Sequence, residues 1–153
     1  GFITYGVKNG TPAAYKALED KTAGVIRAMV SSVTHPGQTI VLKALQDPDF
    51  RRQQAEKVEI LRRRAEATGV ECRRSEYADC WDVYPYNSGY FMCLRLKDAD
   101  ADTVRMNLLD AHGVGTIALG PTNLRVAFSC LTEAQIPGVF KAIAAAVRTV
   151  RGR

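Results

Sequence analysis

The sequence predicts an α+β fold, with a small antiparallel or mixed sheet of three to four strands covered by helices and preceded by a helical connecting segment. Three observations lead there. Apolar residues recur at helical spacing as far as Gly69, the period changes from Val70 onward, and the remaining elements follow in the order strand, helix, strand, strand, helix. There is no internal repeat and no low-complexity segment, so the only boundary is a soft one that divides residues 1–69 from residues 70–153.

Taken in order, Phe2-Ile3-Thr4-Tyr5-Gly6-Val7 is a β-branched and aromatic run closed by Asn9-Gly10, which predicts a strand ending in a turn. Thr11-Pro12 is a helix start, with Ala14, Leu18, Val25, Ile26, Met29 and Val33 recurring on one face. Thr34-His35-Pro36-Gly37 breaks that helix, and a short one follows over Gln38 to Gln46 with Val41, Leu42 and Leu45 inward. After Asp47-Pro48, a long helix runs from Asp49 to Thr68, with Phe50, Val58, Leu61 and Ala65 on a narrow apolar stripe and Gly69 as its left-handed cap. Strands are expected over Tyr90 to Leu96, Val114 to Leu119 and Leu124 to Phe128, with a helix over Asp100 to Ala111 that ends at His112-Gly113. The last helix carries Ile136, Phe140, Ile143 and Val147 on one face. Thr132 and Gln135 form a capping box, but Pro137 lacks a backbone donor, so the regular helix is expected to begin near Ile136.

At 153 residues and 46% hydrophobic, the chain is long enough for one domain with a real core. No apolar run approaches membrane-spanning length and no signal-peptide pattern is present, which predicts a soluble, cytoplasmic parent. Cys72, Cys80, Cys93 and Cys130 show no ligand spacing, and His35 and His112 stand apart, so no metal site is expected. Cys93 and Cys130 fall in apolar strand patterns and are expected as small core residues, without a structural disulfide. The net charge of +5 and the run Arg62-Arg63-Arg64 are diluted by Glu56, Glu59, Glu66 and Glu71, so a solvated helix face is expected rather than a nucleic-acid surface.

The most informative stretch is Asn123-Leu124-Arg125-Val126-Ala127-Phe128-Ser129, which places an arginine inside an apolar, strand-like run after the Gly120-Pro121 turn. Desolvating an unpaired guanidinium costs roughly several kcal/mol, so an anion should sit against Arg125. A planar fork of donors suits a carboxylate best. That carboxylate is either an internal Asp or Glu or one brought by a ligand, unless the arginine holds its head in water at an edge.

In their order, Tyr86-Asn87-Ser88-Gly89-Tyr90-Phe91-Met92-Cys93-Leu94, then His112-Gly113-Val114-Gly115-Thr116-Ile117, then the Arg125 run and a last helix resemble the C-terminal small domain of the class I and II aminotransferases, pyridoxal-phosphate enzymes of fold type I. The resemblance implies that residues 1–69 are the end of the large domain and a helical connector, and that residues 70–153 are the small substrate-binding domain. It gives Arg125 the α-carboxylate of an amino-acid substrate. Ile26-Arg27-Ala28-Met29-Val30-Ser31-Ser32 is similar to a segment of the aspartate aminotransferases that crosses a dimer interface. Carried over, Arg27 would bind a distal carboxylate and Ser31 the cofactor phosphate of the neighbouring subunit, with Ser32 where the family often has Asn. Without the family, Arg27 is a cation favourably placed against a helix dipole. Asn87, Gly89 and Phe91 resemble the loop that lines the substrate pocket, Gly89 permitting close backbone approach and Phe91 forming a wall; the plainer reading is a β-turn into a core strand.

The resemblance therefore implies a homodimeric aminotransferase that uses pyridoxal 5'-phosphate to pass an amino group between an amino acid, dicarboxylic or otherwise, and a 2-oxo acid. The chain is expected to be its C-terminal portion and to be inactive alone. The chemistry needs a lysine to hold the cofactor and move the Cα proton, and in the family that lysine precedes a strand like the one at Phe2. Lys8 and Lys16 lie on the wrong side of it, so no catalytic residue is assigned. Related lyases, decarboxylases and acyltransferases share this domain. The competing class is a stand-alone α+β module that binds an anionic macromolecule.

Overall fold

The computed structural model describes residues 3–31, 34–87 and 89–152 of the chain. Two units are distinguished, one up to Phe50 and one from Arg51 onward.

In the first unit, helix α1 (Pro12–Val30) starts as its sequence predicts: the Thr11 hydroxyl accepts from the Ala14 N–H at 3.3 Å and Pro12 sits in the first turn. Helix α2 (His35–Gln46) begins earlier than expected, because Pro36 falls in its first turn, where a missing donor costs nothing. The strand expected from Phe2 to Val7 is not found over the described residues Ile3 to Val7; Phe2 itself lies outside them. A strand needs a ladder partner, and here the polar groups are satisfied locally. The Tyr15 hydroxyl lies 3.4 Å from both the N and O of Val7, and the Tyr5 and Thr22 hydroxyls bond to each other. Neither helix buries a residue, so Val41, Leu42 and Leu45, expected inward, are exposed.

In the second unit, helix α3 (Phe50–Glu71) continues through Gly69 instead of ending there. Its last turn is drawn on by burial: Thr68 and Cys72 are fully enclosed, the Cys72 N–H donates to Thr68 O at 2.9 Å, and one helical glycine costs only about 1 kcal/mol. Next come strand β1 (Trp81–Val83), strand β2 (Met92–Leu96), helix α4 (Ala101–His112), strands β3 (Ile117–Leu119) and β4 (Asn123–Val126), and helix α5 (Ile136–Arg151). The expected α+β fold is present. Its sheet is wholly antiparallel in the order β1-β2-β4-β3. Strand β1 is not legible in the sequence because three residues are too few to show a period.

Alternation divides the sheet into two faces. Met92, Leu94 and Leu96 of β2 and Leu124 and Val126 of β4 point into the core, where Val104 and Leu108 of α4 and Phe140, Ile143 and Val147 of α5 complete it. Trp81 lies between Tyr77 at 4.9 Å and Phe140 at 6.0 Å and donates its indole N–H to Cys72 O at 2.9 Å. Helix α4 is capped by Asp100, whose carboxylate accepts from the Thr103 N–H at 2.8 Å, and ends on Gly113 at φ +64°. Helix α5 starts at Ile136 as expected, after the Gln135 side chain accepts from the Thr132 N–H at 2.9 Å. The cysteine assignment is reversed: Cys72 and Cys80 are the core thiols, while Cys93 is half-buried and Cys130 exposed in a short 3-10 turn. Among the described residues, no helix is long and apolar enough to cross a membrane, and no three His, Cys, Asp or Glu side chains cluster to hold a metal.

Candidate functional site

Directly paired residues of a sheet point to the same side, so the registers build the site on the face turned away from the core. Cys93, Arg125 and Ile117 form one row across β2, β4 and β3, and Arg95, Asn123 and Leu119 form the next, with Asp82 of β1 opposite Arg95. Arg125 therefore stands on a strand held on both edges. The hairpin that delivers it turns at Gly120, φ +70°, and is tied down by the Pro121 carbonyl, which accepts from the Ala101 N–H at 2.7 Å, and the Thr122 carbonyl, which accepts from the Leu96 N–H at 2.8 Å.

The surroundings of the Arg125 guanidinium set it apart. Among the described arginines it is the one that makes neither a hydrogen bond nor an ion pair, although it is half-buried. Its Cζ lies 4.5 Å from the ring centroid of Phe91. The carboxylate one row away is already taken: Asp82 is bonded by Arg95 at 2.6 Å and by Lys97 at 3.0 Å, which hold its carboxyl below the usual carboxylate range. Opposite Arg125, burial pushes the Cys93 thiol up, and the guanidinium pulls it back down. A half-buried cation with no anion of its own is a place for an anion to bind.

The other expected residues fall into separate groups. Asn87 and Gly89, the latter at φ +88°, line a cavity of about 560 Å³ against α3, with Leu61, Ala65, Tyr86 and Tyr90. Its lining includes neither Arg125 nor Phe91. Tyr86 closes one side by donating its hydroxyl to Ala65 O at 3.0 Å. In the first unit, Arg27 Nη1 donates to the Ser31 carbonyl and hydroxyl, each at 3.1 Å, so the two side chains meet at the end of α1. Ser32 lies outside the described residues.

Two residues of this region, Cys93 opposite Arg125 and Tyr84 beside Asn123, are not marked as such by the sequence. Cys93 sits in an apolar run and is expected in the core, although Met92, Leu94 and Leu96 already claim the inward parity and leave it outward. Tyr84, whose hydroxyl lies 3.2 Å from Asn123 Oδ1, follows a strand too short to carry a pattern.

The model of the class I and II aminotransferases matches residues 2–143 of the chain. A search of curated proteins finds no match. Among solved structures, the fold is similar to LysN, the α-aminoadipate aminotransferase of Thermus thermophilus, complexed with N-(5'-phosphopyridoxyl)-L-leucine, at TM-score 0.73 and 16% identity over 90% of this chain and 36% of that one. It is likewise similar to an aminotransferase of Anaerococcus prevotii, at TM-score 0.71 and 21% identity over 88% of this chain and 32% of that one. The chain thus spans about a third of the length of either structure.

Proposed function

The chain belongs to the class I and II aminotransferases, and from that premise we propose that it is the substrate-carboxylate-binding part of a pyridoxal-phosphate-dependent aminotransferase, with Arg125 as the ligand of the α-carboxylate. One observation carries this reading: the Arg125 guanidinium, half-buried on a strand held on both edges, has no acceptor among the described residues. An amino acid and a 2-oxo acid share a carboxylate at the same distance from the reacting carbon, so one fixed guanidinium serves both halves of an amino-group exchange.

The cofactor, when bound, supplies the electron sink for the substrate's Cα. The Ser31 hydroxyl suits its phosphate, since it accepts from Arg27 Nη1 at 3.1 Å and keeps its own proton to donate to an anion. In this reading Ser31 contacts the phosphate held by the neighbouring subunit of a cytoplasmic homodimer, and Arg27 takes the distal carboxylate of a dicarboxylic substrate. We assign the covalent attachment to no lysine of this chain, so the chain is inactive alone. Lys16 is engaged by Asp20 at 2.6 Å and Lys97 by Asp82 at 3.0 Å.

The test is Arg125→Lys in the complete enzyme. The charge is kept but a two-pronged contact becomes a point contact, so kcat/KM for the amino acid is expected to fall by an amount worth about 1.5 to 3 kcal/mol. Unchanged kinetics in a normally folded variant would return Arg125 to a structural role.

A further inference from the structure

We propose that Phe91 is a positioning residue for Arg125, holding its guanidinium through the ring face so that every N–H donor stays free for one carboxylate. The inference rests on the reading of Arg125 as the α-carboxylate ligand. The Arg125 Cζ is 4.5 Å from the Phe91 centroid, well inside the range in which a ring quadrupole attracts a guanidinium. An aromatic face offers no lone pair, so it restrains the cation without taking any of its five donors. An internal carboxylate would have taken donors and offset the charge as well, as Asp82 does by accepting from Arg95 Nη2 at 2.6 Å.

The ring is placed for this and not for filling the core. Phe91 is 47% exposed, so burial does not account for its position. It enters β2 directly, its Met92 neighbour pairs with Val126 on the strand that carries Arg125, and Gly89 at φ +88° turns the chain just before it. The Tyr90 carbonyl accepts from the Ser129 N–H at 3.3 Å, and the Tyr90 ring meets Phe91 edge-on at 6.4 Å. These contacts tie the segment that carries the ring to the start of the strand, and the Arg125 guanidinium lies over the ring.

The experiment compares Phe91→Leu with Phe91→Tyr and Phe91→Trp. In this chain, relaxation of the Arg125 Nε–H resonance reports how ordered the guanidinium is; in the complete enzyme, KM and kcat for the amino acid are measured. Leucine keeps apolar volume and removes the quadrupole, so the Nε–H becomes more mobile and KM rises about three- to tenfold with kcat nearly unchanged. Tyrosine and tryptophan restore both. An ordered guanidinium and an unaltered KM in Phe91→Leu, or folded Tyr and Trp variants no better than Leu, would overturn the proposal. If Arg125→Lys leaves KM unchanged, the carboxylate reading fails separately, and Nε–H order alone then decides the role of Phe91.

Discussion

A guanidinium that touches only a π face keeps its full charge, and its neighbours should feel it. Cys93 stands directly opposite Arg125, with burial raising its thiol pKa and the guanidinium lowering it. Alkylation by iodoacetamide, followed by mass spectrometry, is therefore expected to label exposed Cys130 before Cys93 near neutral pH. Cys93 labelling should gain speed only as the pH climbs past the ordinary thiol range, about 8.5. Arg125→Gln removes the lowering charge and should slow Cys93 further at a given pH; an equal rate would mean that the charge is not felt there. At the end of α1, Arg27 is expected to select dicarboxylic substrates, because a second cation discriminates only when the substrate brings a second anion. In the complete enzyme, Arg27→Ala should lower the preference for aspartate or glutamate over alanine or leucine, and an unchanged ratio would sink the idea. Arg125 could be found from sequence because a charge inside a strand-like run is conspicuous. That it lacks a carboxylate could not, since the ion pairs that occupy Asp82 join residues well separated along the chain.

Helix α5 shows why some elements are legible and others are not. Its face of Ile136, Phe140, Ile143 and Val147 keeps a helical period over about three turns and is wholly buried, so pattern and environment agree. Phe140→Ala should destabilise the second unit by about 3 to 5 kcal/mol, read as a shifted midpoint in urea, because the ring is fully buried beside Trp81. The end of α3 defeats sequence reading for the opposite reason. Gly69 signals a cap locally while Thr68 and Cys72 are pulled into the core by residues far along the chain, and tertiary burial overrides the local preference. The outer side of α5 is pinned by charge: Arg148 grips both carboxylate oxygens of Asp79, at 2.7 and 3.1 Å, and Arg151 donates to the Asp79 carbonyl at 2.7 Å. The Arg148 contact holds the Asp79 carboxyl well below the usual carboxylate range. A lowered folded pKa gives stability that is present above the unfolded value, about 3.9, and lost as the pH falls toward the folded one. Asp79→Asn should thus lower the Tm at pH 7, with the gap to the wild type narrowing below about pH 4. A gap independent of pH would assign the effect to something other than this pair.

At the scale of the whole chain, the two units differ in what they enclose. The second contains a continuous core, whereas α1 and α2 bury no side chain and leave Met29 and Ile40 at 78% and 67% exposure, with Val25, Val41 and Leu45 more than half exposed. The apolar period of these helices was legible, but periodicity reports which side is apolar and says nothing of what covers it. Apolar side chains crowded onto short helices drive association when no partner covers them. Light scattering on the isolated chain is therefore expected to give a mass that rises with concentration, and Met29→Glu with Ile40→Glu should lower it toward the monomer. The same sample should show no lysine-linked absorbance band on adding pyridoxal phosphate, since covalent attachment needs an uncharged amine aimed at the cofactor. Lys97 donates to the Ala78 carbonyl at 2.9 Å and pairs with Asp82, and Lys16 pairs with Asp20, so these two are engaged within the chain. The two measurements separate the claims. A strict monomer at every concentration would show that the faces of α1 and α2 are too small or too divided to associate, while a band lost on replacing one lysine would give that lysine the covalent role.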